Sequence, residues 1–407
     1  MGQTCCICGQ VAQKELLTLT VEEQSGSQLY ESIAVVECLG CRHVFNLLSE
    51  AEYKDLKSTY SGVYTSKSLG KVYGIGDVPG STSDMSRVRY QEIIDVLFRN
   101  VSLTKKEKIL DIGCAQGGFL NELANLGFSD LYGVDVSKKF IEQANKNLKS
   151  AKFVVGEAAS LPFSDSSFDV VIIDQVLEHL LEPQLAIAEI ERVLKVDGYL
   201  LVGVPDAEYY EKFSFFSYYW FLIKEHIQHF GINAIFNLVT NRDFDYINHD
   251  TRISHMNSYT QPFPNLITLF KKTNGIGANQ RTSLSSSLKQ LEINSYLAKN
   301  RKLHIRLNER IRRDVNSHQE IYVWGIGKEF FFIMSQTPLK NYTLKGLIDS
   351  NIQSFKKKHF RGLQISQPAI LKRSSTNSLL IIAATAHTEN IRHELEMIGF
   401  KGDILEF

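Results

Sequence analysis

One short stretch restricts the fold of this chain more than any other. Residues 108–120 read Lys-Ile-Leu-Asp-Ile-Gly-Cys-Ala-Gln-Gly-Gly-Phe-Leu. An apolar run ends in the acid Asp111, passes through a turn of small residues and continues into a helical pattern. This order predicts a buried β-strand, a ligand-binding loop and the N-terminus of a helix. The stretch therefore predicts an α/β domain whose loop faces a ligand.

Asp111 distinguishes between two ligand classes that such a loop can bind. A dinucleotide would place its anionic pyrophosphate over the loop, where the carboxylate of Asp111 would repel it. S-adenosylmethionine has no phosphate, and its ammonium and sulfonium groups would be attracted by the same carboxylate. The stretch therefore favours a methyl donor over a nicotinamide cofactor, although Gly113-x-Ala115-x-x-Gly118 also matches a dinucleotide fingerprint.

Further strands and helices follow in alternation. The predicted strands are Leu131–Asp135, Lys152–Val155, Phe168–Asp174 and Tyr199–Val204, and a helix is expected from about Pro183 to Leu194. Such alternation predicts a doubly wound parallel sheet. Asp135, at the end of the second strand, can accept hydrogen bonds from both ribose hydroxyls of an adenosine. Glu157, just beyond the third strand, can accept one from the adenine amino group.

Taken together, these residues resemble the class I methyltransferases that use S-adenosylmethionine. The resemblance covers about residues 83–272 and includes the glycine loop, Leu161-Pro162-Phe163, Leu177-Glu178-His179 and Val193-Leu194-Lys195-x-x-Gly198. Ala115 stands where the family more often has glycine, which is tolerated if its φ stays below zero. The resemblance implies that the following residues bind the donor: Asp111, Gly113, Ala115, Gly117, Asp135, Val136, Glu157, Ala158, Asp174, Gln175 and His179.

Cysteines are concentrated at the N-terminus, where five of the six lie within the first 41 residues. Two Cys-x-x-Cys pairs, Cys5/Cys8 and Cys38/Cys41, can hold a metal tetrahedrally, and the N-terminus lacks the features of a secretory signal. We therefore predict a structural zinc ribbon, with Cys6 able to replace Cys5 as a ligand. The alternative is a set of reduced cysteines that pack as small hydrophobic residues.

The charge balance argues against polyanionic partners. Lys plus Arg equals Asp plus Glu at 45 each, so no overall field favours nucleic acid or an anionic membrane. No apolar run is long enough to span a bilayer. The expected protein is a cytoplasmic enzyme that acts on a small molecule, without a nucleic-acid or membrane partner and of undetermined oligomeric state. A basic helix from about Leu288 to Val315 could bind a phosphate, or its charges could form a solvated face.

The acceptor side is expected in the aromatic segment Tyr209–Phe230, which leaves the edge of the sheet where substrates bind and predicts a packed lid or interface. A similar Glu-His pair in sugar-modifying methyltransferases carries the general base. The resemblance implies this role for His226, with Glu225 orienting it or raising its basicity. The alternative is that Glu225, His226 and His229 line the exposed face of a helix. The His-Gly-Gly-Ser type loop usual in sugar C-methyltransferases is absent from residues 253–259.

The chain is expected to contain four parts. These are a zinc-binding domain (1–75), the methyltransferase core (76–272), a linker with a long helix (273–317) and a C-terminal Rossmann-like α/β unit (318–407). Their order resembles the C-methyltransferases of nucleotide-linked deoxysugars. This implies methyl transfer to a nucleotide-linked sugar, with C-methylation of a keto-deoxysugar favoured. The alternatives are O-methylation of a sugar or other small molecule, and a non-catalytic methyltransferase-like scaffold. A tyrosine-containing loop before residue 78 packs as part of the core or folds over the ligand.

Overall fold

The computed structural model describes residues 3–21, 32–60, 78–212, 219–255, 262–275, 291, 293–354 and 358–406. Within these residues the chain forms three sheets of four, seven and six strands. No helix among them is both long and apolar enough to cross a bilayer. The predicted tyrosine-containing loop spans about residues 50–78; its residues 61–77, with Tyr64 and Tyr73, lie outside the described residues.

The N-terminal sheet is an antiparallel meander followed by one helix. Its elements are β1 (Gln13–Thr20), β2 (Ser32–Cys38), β3 (Val44–Asn46) and α1 (Glu50–Ser58). Ser49 and Glu52 form a reciprocal capping box that fixes the start of α1. The fourth strand of this sheet is Gln228–His229, from far along the chain, which pairs antiparallel with β3. The N-terminal part is therefore joined directly to the predicted acceptor segment.

The seven-stranded sheet forms the central core. Its elements and their neighbours in chain order are α2 (Asp84–Asn100), β4 (Ile109–Ile112), α3 (Gly118–Asn125), β5 (Leu131–Asp135), α4 (Lys138–Asn147), β6 (Lys152–Val155), β7 (Phe168–Asp174), α5 (Pro183–Val193), β8 (Leu194–Pro205), β9 (Gln228–His229, of the first sheet), α6 (Ile232–Thr240), β10 (Phe244–His255) and β11 (Pro262–Lys272). The order is β10-β11-β8-β7-β4-β5-β6. The strands from β8 to β6 are parallel, and at the other edge β11 runs antiparallel to both of its neighbours, β8 and β10. This confirms the predicted α/β core.

The topology places a ligand site at the carboxyl end of β4. This strand pairs on one side with β5 and on the other with β7, so the chain runs outward in opposite directions from it. In open α/β sheets such a switch point opens a crevice beyond the carboxyl ends of the strands. The loop after Asp111 lies at this crevice.

Two predicted boundaries differ from the structure. The turn expected after the fifth helix, at Lys195–Gly198, lies within a strand, because β8 begins at Leu194 and this residue pairs with Phe168. A register shift between Phe168 and Val170 accommodates the irregular segment. The long basic helix was expected from about Leu288, whereas the described helix begins at Asn294.

The C-terminal part is a third layer around a six-stranded sheet. Its elements are α7 (Asn294–Asn316), β12 (Glu320–Trp324), α8 (Lys328–Gln336), β13 (Gly346–Ile348), β14 (His359–Phe360), β15 (Leu363–Ser366), β16 (Ser378–Ile382), α9 (Thr388–Ile398) and β17 (Asp403–Leu405). The order is β14-β15-β13-β12-β16-β17, and only the pair β14-β15 is antiparallel. Helix α7 contributes Leu297 and Ile311 to a core that also contains Val35 of β2 and Phe330 of α8. The N- and C-terminal parts therefore share one hydrophobic cluster.

Candidate active site

The glycine loop adopts the conformation that its residue types permit. Gly113 and Gly117 have φ values of 78° and 81°, in the left-handed region that favours glycine. A Cβ atom on Gly113 would overlap Val176 Cγ2, and one on Gly117 would lie 2.8 Å from Phe153 Cζ. Gly117 is the N-cap of α3. Both glycines are therefore required by backbone conformation and by close packing.

Ala115 departs from the expectation. An alanine was expected to be tolerated here if its φ stayed below zero. Its φ is +44°, so this condition is not met. The amide of Ala115 donates a hydrogen bond to Asp135 Oδ2 at 3.0 Å, which holds the loop in this turn. A non-glycine residue in the left-handed region costs roughly 1–2 kcal/mol. The loop therefore stores strain at the position where the family more often has glycine.

Acidic side chains converge at the carboxyl ends of β4, β5 and β7. Asp111 is 5% exposed, and burial followed by repulsion from Asp174 and Asp135 raises its pKa well above the ordinary value. Burial also raises the pKa of Asp135, although hydrogen bonds from the amides of Ser137 and Ala115 oppose it. Buried carboxylates that repel one another are stabilised in their ionised form when a cation binds beside them, so this site favours a cationic ligand.

Arg89 is a component of this site that the sequence motifs did not reveal. Its guanidinium, carried by α2, forms an ion pair with Asp174 at the end of β7. Burial raises the pKa of Asp174, and the charge of Arg89 opposes that rise. Gly80, at the end of a glycine-rich stretch before α2, also contacts the loop, because its carbonyl oxygen accepts a hydrogen bond from Gly118 N at 2.9 Å. No motif included Arg89, because it is not part of a strand-loop-helix pattern.

The remaining predicted donor residues lie around the same crevice. Glu157 is about half exposed and pairs with Lys57 of α1 at 3.0 Å. Ala158 is buried, whereas Val136 is exposed. Gln175 follows β7 with a φ of +55°, and its side-chain amide donates to Asn265 Oδ1 at 3.1 Å. The structure thus brings these residues to one edge of the sheet.

The predicted acceptor pair does not lie on a helix. Glu225 and His226 occupy an irregular segment between a short turn of helix at Trp220–Leu222 and β9. Glu225 and His229 are buried and His226 is partly buried. The alternative that Glu225, His226 and His229 line an exposed helix face is therefore wrong. The segment is apolar enough to be buried, and it contributes a strand to the N-terminal sheet instead of continuing as a helix.

Residues of the N-terminal part hold this segment in place. The buried Asn46 side chain donates to the carbonyl oxygens of Leu222, Ile223 and His226 at 3.3, 3.0 and 2.9 Å. The backbone amide of Asn46 also donates a hydrogen bond, to Ile227 O at 2.7 Å. Lys224, with its side chain 2% exposed, forms an ion pair with Glu52 of α1. The backbone around His226 is thus anchored mostly by residues of the N-terminal part.

His179 connects the donor crevice to this segment. Its Nδ1 lies 2.6 Å from Glu225 O and 2.8 Å from Tyr60 Oη. The His179 and His226 rings meet edge to face with centroids 5.0 Å apart. Burial lowers the pKa of His179, so the ring favours its neutral form. His179 was predicted to pack near the donor, and the structure shows that it also contacts the predicted base.

Glu178 is a further titratable group that the sequence reasoning did not place in the site. Its carboxyl is 1% exposed and lies 3.7 Å from His179 Nε2. Burial raises its pKa to about 8. Potential ligand atoms of Glu178, His179 and His226 all lie within 4.8 Å of one another, close enough to share a cation. The Leu-Glu-His motif was the available signal, but only its histidine was assigned a role.

His229 cannot serve as a second base. It is fully buried, neither ring nitrogen has a hydrogen-bond partner among the described residues, and its edge faces Tyr210. Burial lowers its pKa to about 3, so the ring stays neutral at ordinary pH. Tyr210 in turn stacks on Phe221 with centroids 4.2 Å apart. Tyr210, Tyr219, Phe221 and Phe230 of this segment therefore form packed core.

The N-terminal cysteines form a compact cluster. Cys5 Sγ lies 3.4 Å from Cys41 Sγ, Cys8 Sγ lies 3.5 Å from Cys38 Sγ, and all four sulfur atoms are within 4.8 Å of one another. Tetrahedral zinc with Zn–S bonds near 2.3 Å would separate its sulfurs by ~3.8 Å, so this donor set fits zinc. Cys6 lies apart and donates to Gln228 Oε1, which favours Cys5 as the fourth thiol.

Comparison with known proteins identifies the central domain. Residues 110–202 match a family described as "Methyltransferase domain". An uncharacterised 37.1 kDa transposon protein of Streptomyces fradiae is 34% identical over 31% of this chain and 37% of its own length. The uncharacterised methyltransferase YcgJ of Bacillus subtilis is 31% identical over 27% of this chain and 46% of its own. A SAM-dependent methyltransferase structure from Methanosarcina mazei has a TM-score of 0.38 and 23% identity, and covers 44% of this chain and 97% of that chain.

The matches concern one part of the molecule. The chain spans 37%, 56% and 41% of the length of the first three curated relatives. The central part of the chain, from β4 to β8, therefore matches a methyltransferase domain.

Proposed function

We propose that the whole chain transfers a methyl group from S-adenosylmethionine to a small acceptor, a nucleotide-linked sugar, with carbon methylation of a keto-deoxysugar favoured. One observation supports this most strongly. The segment that carries Glu225 and His226 meets His179 directly beyond β7, at the edge where the donor-binding acids converge. A base and a methyl donor can therefore act on one acceptor between them.

The donor would lie across the carboxyl ends of β4, β5 and β6. Asp135 would accept hydrogen bonds from the ribose hydroxyls, and Glu157 would accept one from the adenine amino group. The buried Asp111 would attract the cationic part of the donor, because its neighbouring acids leave a site that favours positive charge. The tight turns at Gly113 and Gly117 would allow close approach of the donor to the backbone.

His226 would act as the general base. It would take a proton from an acceptor hydroxyl or from a carbon beside a ketone, while that atom attacks the donor methyl in line. The bond from methyl to the acceptor forms as the S–CH₃ bond breaks, and S-adenosylhomocysteine leaves with the sulfur electron pair. Alignment and deprotonation supply most of the catalysis, because the sulfonium is already a reactive leaving group. The backbone carbonyl oxygen of Glu225 would hold His179 beside His226, because it lies 2.6 Å from His179 Nδ1.

Zinc would be structural in this scheme. Cys5, Cys8, Cys38 and Cys41 would provide four thiolates with no open coordination position. The metal would stabilise the N-terminal sheet, to which β9 and the His226 segment are attached. We also propose that the chain divides near residues 75, 272 and 317, which separates the zinc-binding part from the part that binds the donor and from the C-terminal part.

The acceptor is tested by tracing an isotope-labelled methyl from S-adenosylmethionine into a panel of nucleotide sugars, with small-molecule hydroxyl acceptors as the comparison. Labelling of a keto-deoxysugar carbon supports the proposal. Labelling of an oxygen would indicate O-methylation, and no binding of S-adenosylhomocysteine to the wild type would indicate a non-catalytic scaffold.

The base is tested with His226→Ala. We expect kcat to fall by about 10²- to 10⁴-fold while the Kd for S-adenosylhomocysteine stays unchanged. His393→Ala, on the exposed face of α9, is the matched control and is expected to retain both values. Normal turnover in His226→Ala would remove this residue as the base.

A further inference from the structure

Glu178, His179 and His226 form a second cluster of side chains that can bind a metal ion, apart from the four cysteines. We infer that this cluster binds a divalent transition-metal ion, such as Zn²⁺ or Co²⁺, and that the bound ion inhibits methyl transfer. The inhibition rests on the proposed role of His226 as the general base. A neutral imidazole has one lone pair, so a ring that binds a metal ion cannot also accept a proton. The binding of the ion does not depend on that role.

The carboxylate of Glu178 is the first sign of a cation site. The residue is 1% exposed, and neither carboxylate oxygen has a hydrogen-bond partner among the described residues. Arg89 interacts with this carboxylate through its charge, but its guanidinium is paired with Asp174. Buried carboxylates in proteins are normally hydrogen-bonded, paired with a cation or bound to a metal ion. A metal ion would supply the direct partner that the described residues do not provide.

His179 presents a ring nitrogen to this carboxylate. Its Nδ1 lies 2.6 Å from Glu225 O, and because a carbonyl oxygen can only accept, Nδ1 carries the hydrogen. In the neutral ring Nε2 then carries the lone pair, and it lies 3.7 Å from Glu178 Oε1. This distance is too long for an ordinary hydrogen bond. It is close to the ~3.4 Å that separates two ligands bound tetrahedrally to one zinc ion.

The surroundings of His179 are also those of a metal ligand. A histidine that binds a metal usually donates its other ring N–H to a carboxylate or a backbone carbonyl, which fixes the orientation of the ring. The carbonyl of Glu225 has this position. The side chain of His179 is 19% exposed, whereas that of Glu178 is 1% exposed, so an ion can enter from the side of the histidine.

His226 completes the site from the acceptor segment. Its ring meets that of His179 edge to face, with centroids 5.0 Å apart. The hydrogen bond from Asn46 to the His226 carbonyl oxygen fixes the backbone here. Glu178 and His179 lie in one short helical turn just beyond β7. The three potential ligands therefore come from two separately anchored segments and meet within 4.8 Å.

The donor set determines which ions can bind. Two imidazoles and one carboxylate suit Zn²⁺, Co²⁺ and Ni²⁺, whereas Mg²⁺ and Ca²⁺ prefer ligand sets made only of oxygen. Three protein ligands also leave one coordination position open, unlike the four thiolates of the cysteine cluster. The two sites therefore differ in donor chemistry and can be distinguished by spectroscopy.

Titration of the full chain with Co²⁺ tests the site. The cysteine cluster is first filled with zinc, and metal analysis confirms that this zinc is retained. Co²⁺ bound by nitrogen and oxygen gives visible d–d absorption without the sulfur-to-cobalt charge-transfer band of a thiolate site. We expect this spectrum at about one Co²⁺ per chain and no effect of Mg²⁺. Absence of the visible absorption would overturn the inference.

Turnover measured during the same titration tests the inhibition. We expect methyl transfer to fall in proportion to the occupancy by Co²⁺ and to return when EDTA removes the added ion. Unchanged or increased turnover at full occupancy would overturn the inhibition. The spectra need neither donor nor acceptor, so a failure of the proposed methyl transfer leaves the test of metal binding intact.

Variants identify the ligands by the spectrum alone, because turnover already depends on this site. Glu178→Gln is expected to weaken Co²⁺ binding by more than about 100-fold, since even outer partners of metal ligands contribute 10- to 100-fold. His226→Ala is expected to lose the same absorption. Glu182→Gln is the matched control, because Glu182 lies four positions further on and is exposed, and it should bind Co²⁺ as the wild type does. A wild-type cobalt spectrum in both Glu178→Gln and His226→Ala would place the ion elsewhere and overturn the inference.

Discussion

The donor crevice and the acceptor segment are built in different ways. In the crevice, the Ala115 amide bonds Asp135 across 20 residues, and Ser137 bonds the same carboxylate across two. At the acceptor segment, Tyr60 meets His179 across 119 residues, Asn46 bonds the His226 carbonyl across 180, and Lys224 pairs with Glu52 across 172. The loop of the proposed donor site is thus held by contacts within consecutive strand-loop-helix units, whereas the segment of the proposed acceptor site is held by contacts with distant parts of the chain.

Because the two sites are held by different contacts, a substitution should be able to impair one site without impairing the other. Changes in the N-terminal part should disturb the acceptor segment while sparing the donor crevice, and changes in the glycine loop should do the reverse.

The largest effect is expected from the buried ion pair. Lys224→Ala would leave Glu52 partly buried without its partner, which costs about 3–5 kcal/mol in unfolding free energy. Denaturant unfolding measures this loss. Lys271→Ala is the matched control, because its ion pair with Asp197 is exposed and should cost no more than about 1 kcal/mol. Equal losses of unfolding free energy in the two variants would show that the Lys224–Glu52 ion pair stabilises the fold no more than an exposed ion pair does.

A smaller effect on stability, with a distinct effect on function, is expected from Asn46→Ala. Three carbonyl oxygens would lose their donor, at a cost of about 1–3 kcal/mol. Because the His226 backbone would lose its anchor, kcat should fall at least about tenfold while the Kd for S-adenosylhomocysteine stays constant. Steady-state kinetics and calorimetry measure the two quantities. A parallel loss of donor affinity would contradict the separation of the two sites.

Donor binding should depend on pH through Asp111. Its raised pKa means that the free protein holds a proton there more tightly than an unperturbed aspartate does. A cationic ligand favours the ionised form, so binding should release up to about one proton, and affinity should rise as pH rises through the raised pKa. The unfolding free energy should fall over the same pH range. At pH values below the raised pKa of Asp111, its proton is bound more tightly in the folded state than in the unfolded state, and this stabilisation is lost as pH rises. Calorimetry in buffers of different ionisation enthalpy counts the protons.

Asp111→Asn is the control for this prediction. It should bind S-adenosylhomocysteine more weakly and without proton release. Proton release that persists in this variant would assign the titration to another group.

The smallest effect is expected at Ala115. Because its φ is +44°, Ala115→Gly should relieve local strain and raise the unfolding free energy by about 1 kcal/mol or less, after the greater chain entropy of glycine is included. Thermal unfolding measures the shift. Gly117→Ala is the contrasting variant and should lose stability, because its Cβ atom would approach Phe153 to 2.8 Å. Destabilisation by Ala115→Gly would show that the alanine methyl packs usefully against its neighbours.

Several parts of the site could be read from the residues because the responsible interactions are local. Asp111 and Asp135 end strands of clear apolar pattern, and parallel strands bring their carboxyl ends to one edge. The start of α2 is also fixed locally, because the Ser83 hydroxyl accepts the amide hydrogen of Ser86. Arg89 and Glu178 escaped this reasoning because their importance arises from which neighbours surround them. An arginine on a helix surface and a glutamate in a loop have no pattern of their own.

The stretch from Lys108 to Leu120, with the strands that follow it, predicted the central α/β architecture and favoured a methyl donor, since strand pattern, loop composition and charge act over a few residues. Only the tertiary structure decided that Asn46 and Lys224 anchor the acceptor segment, that this segment is not a helix, and that Arg89 faces the donor acids. Those features depend on burial and on contacts between residues more than a hundred positions apart, or on packing of one helix over the crevice. The free energy of such contacts exists only after the parts have folded together.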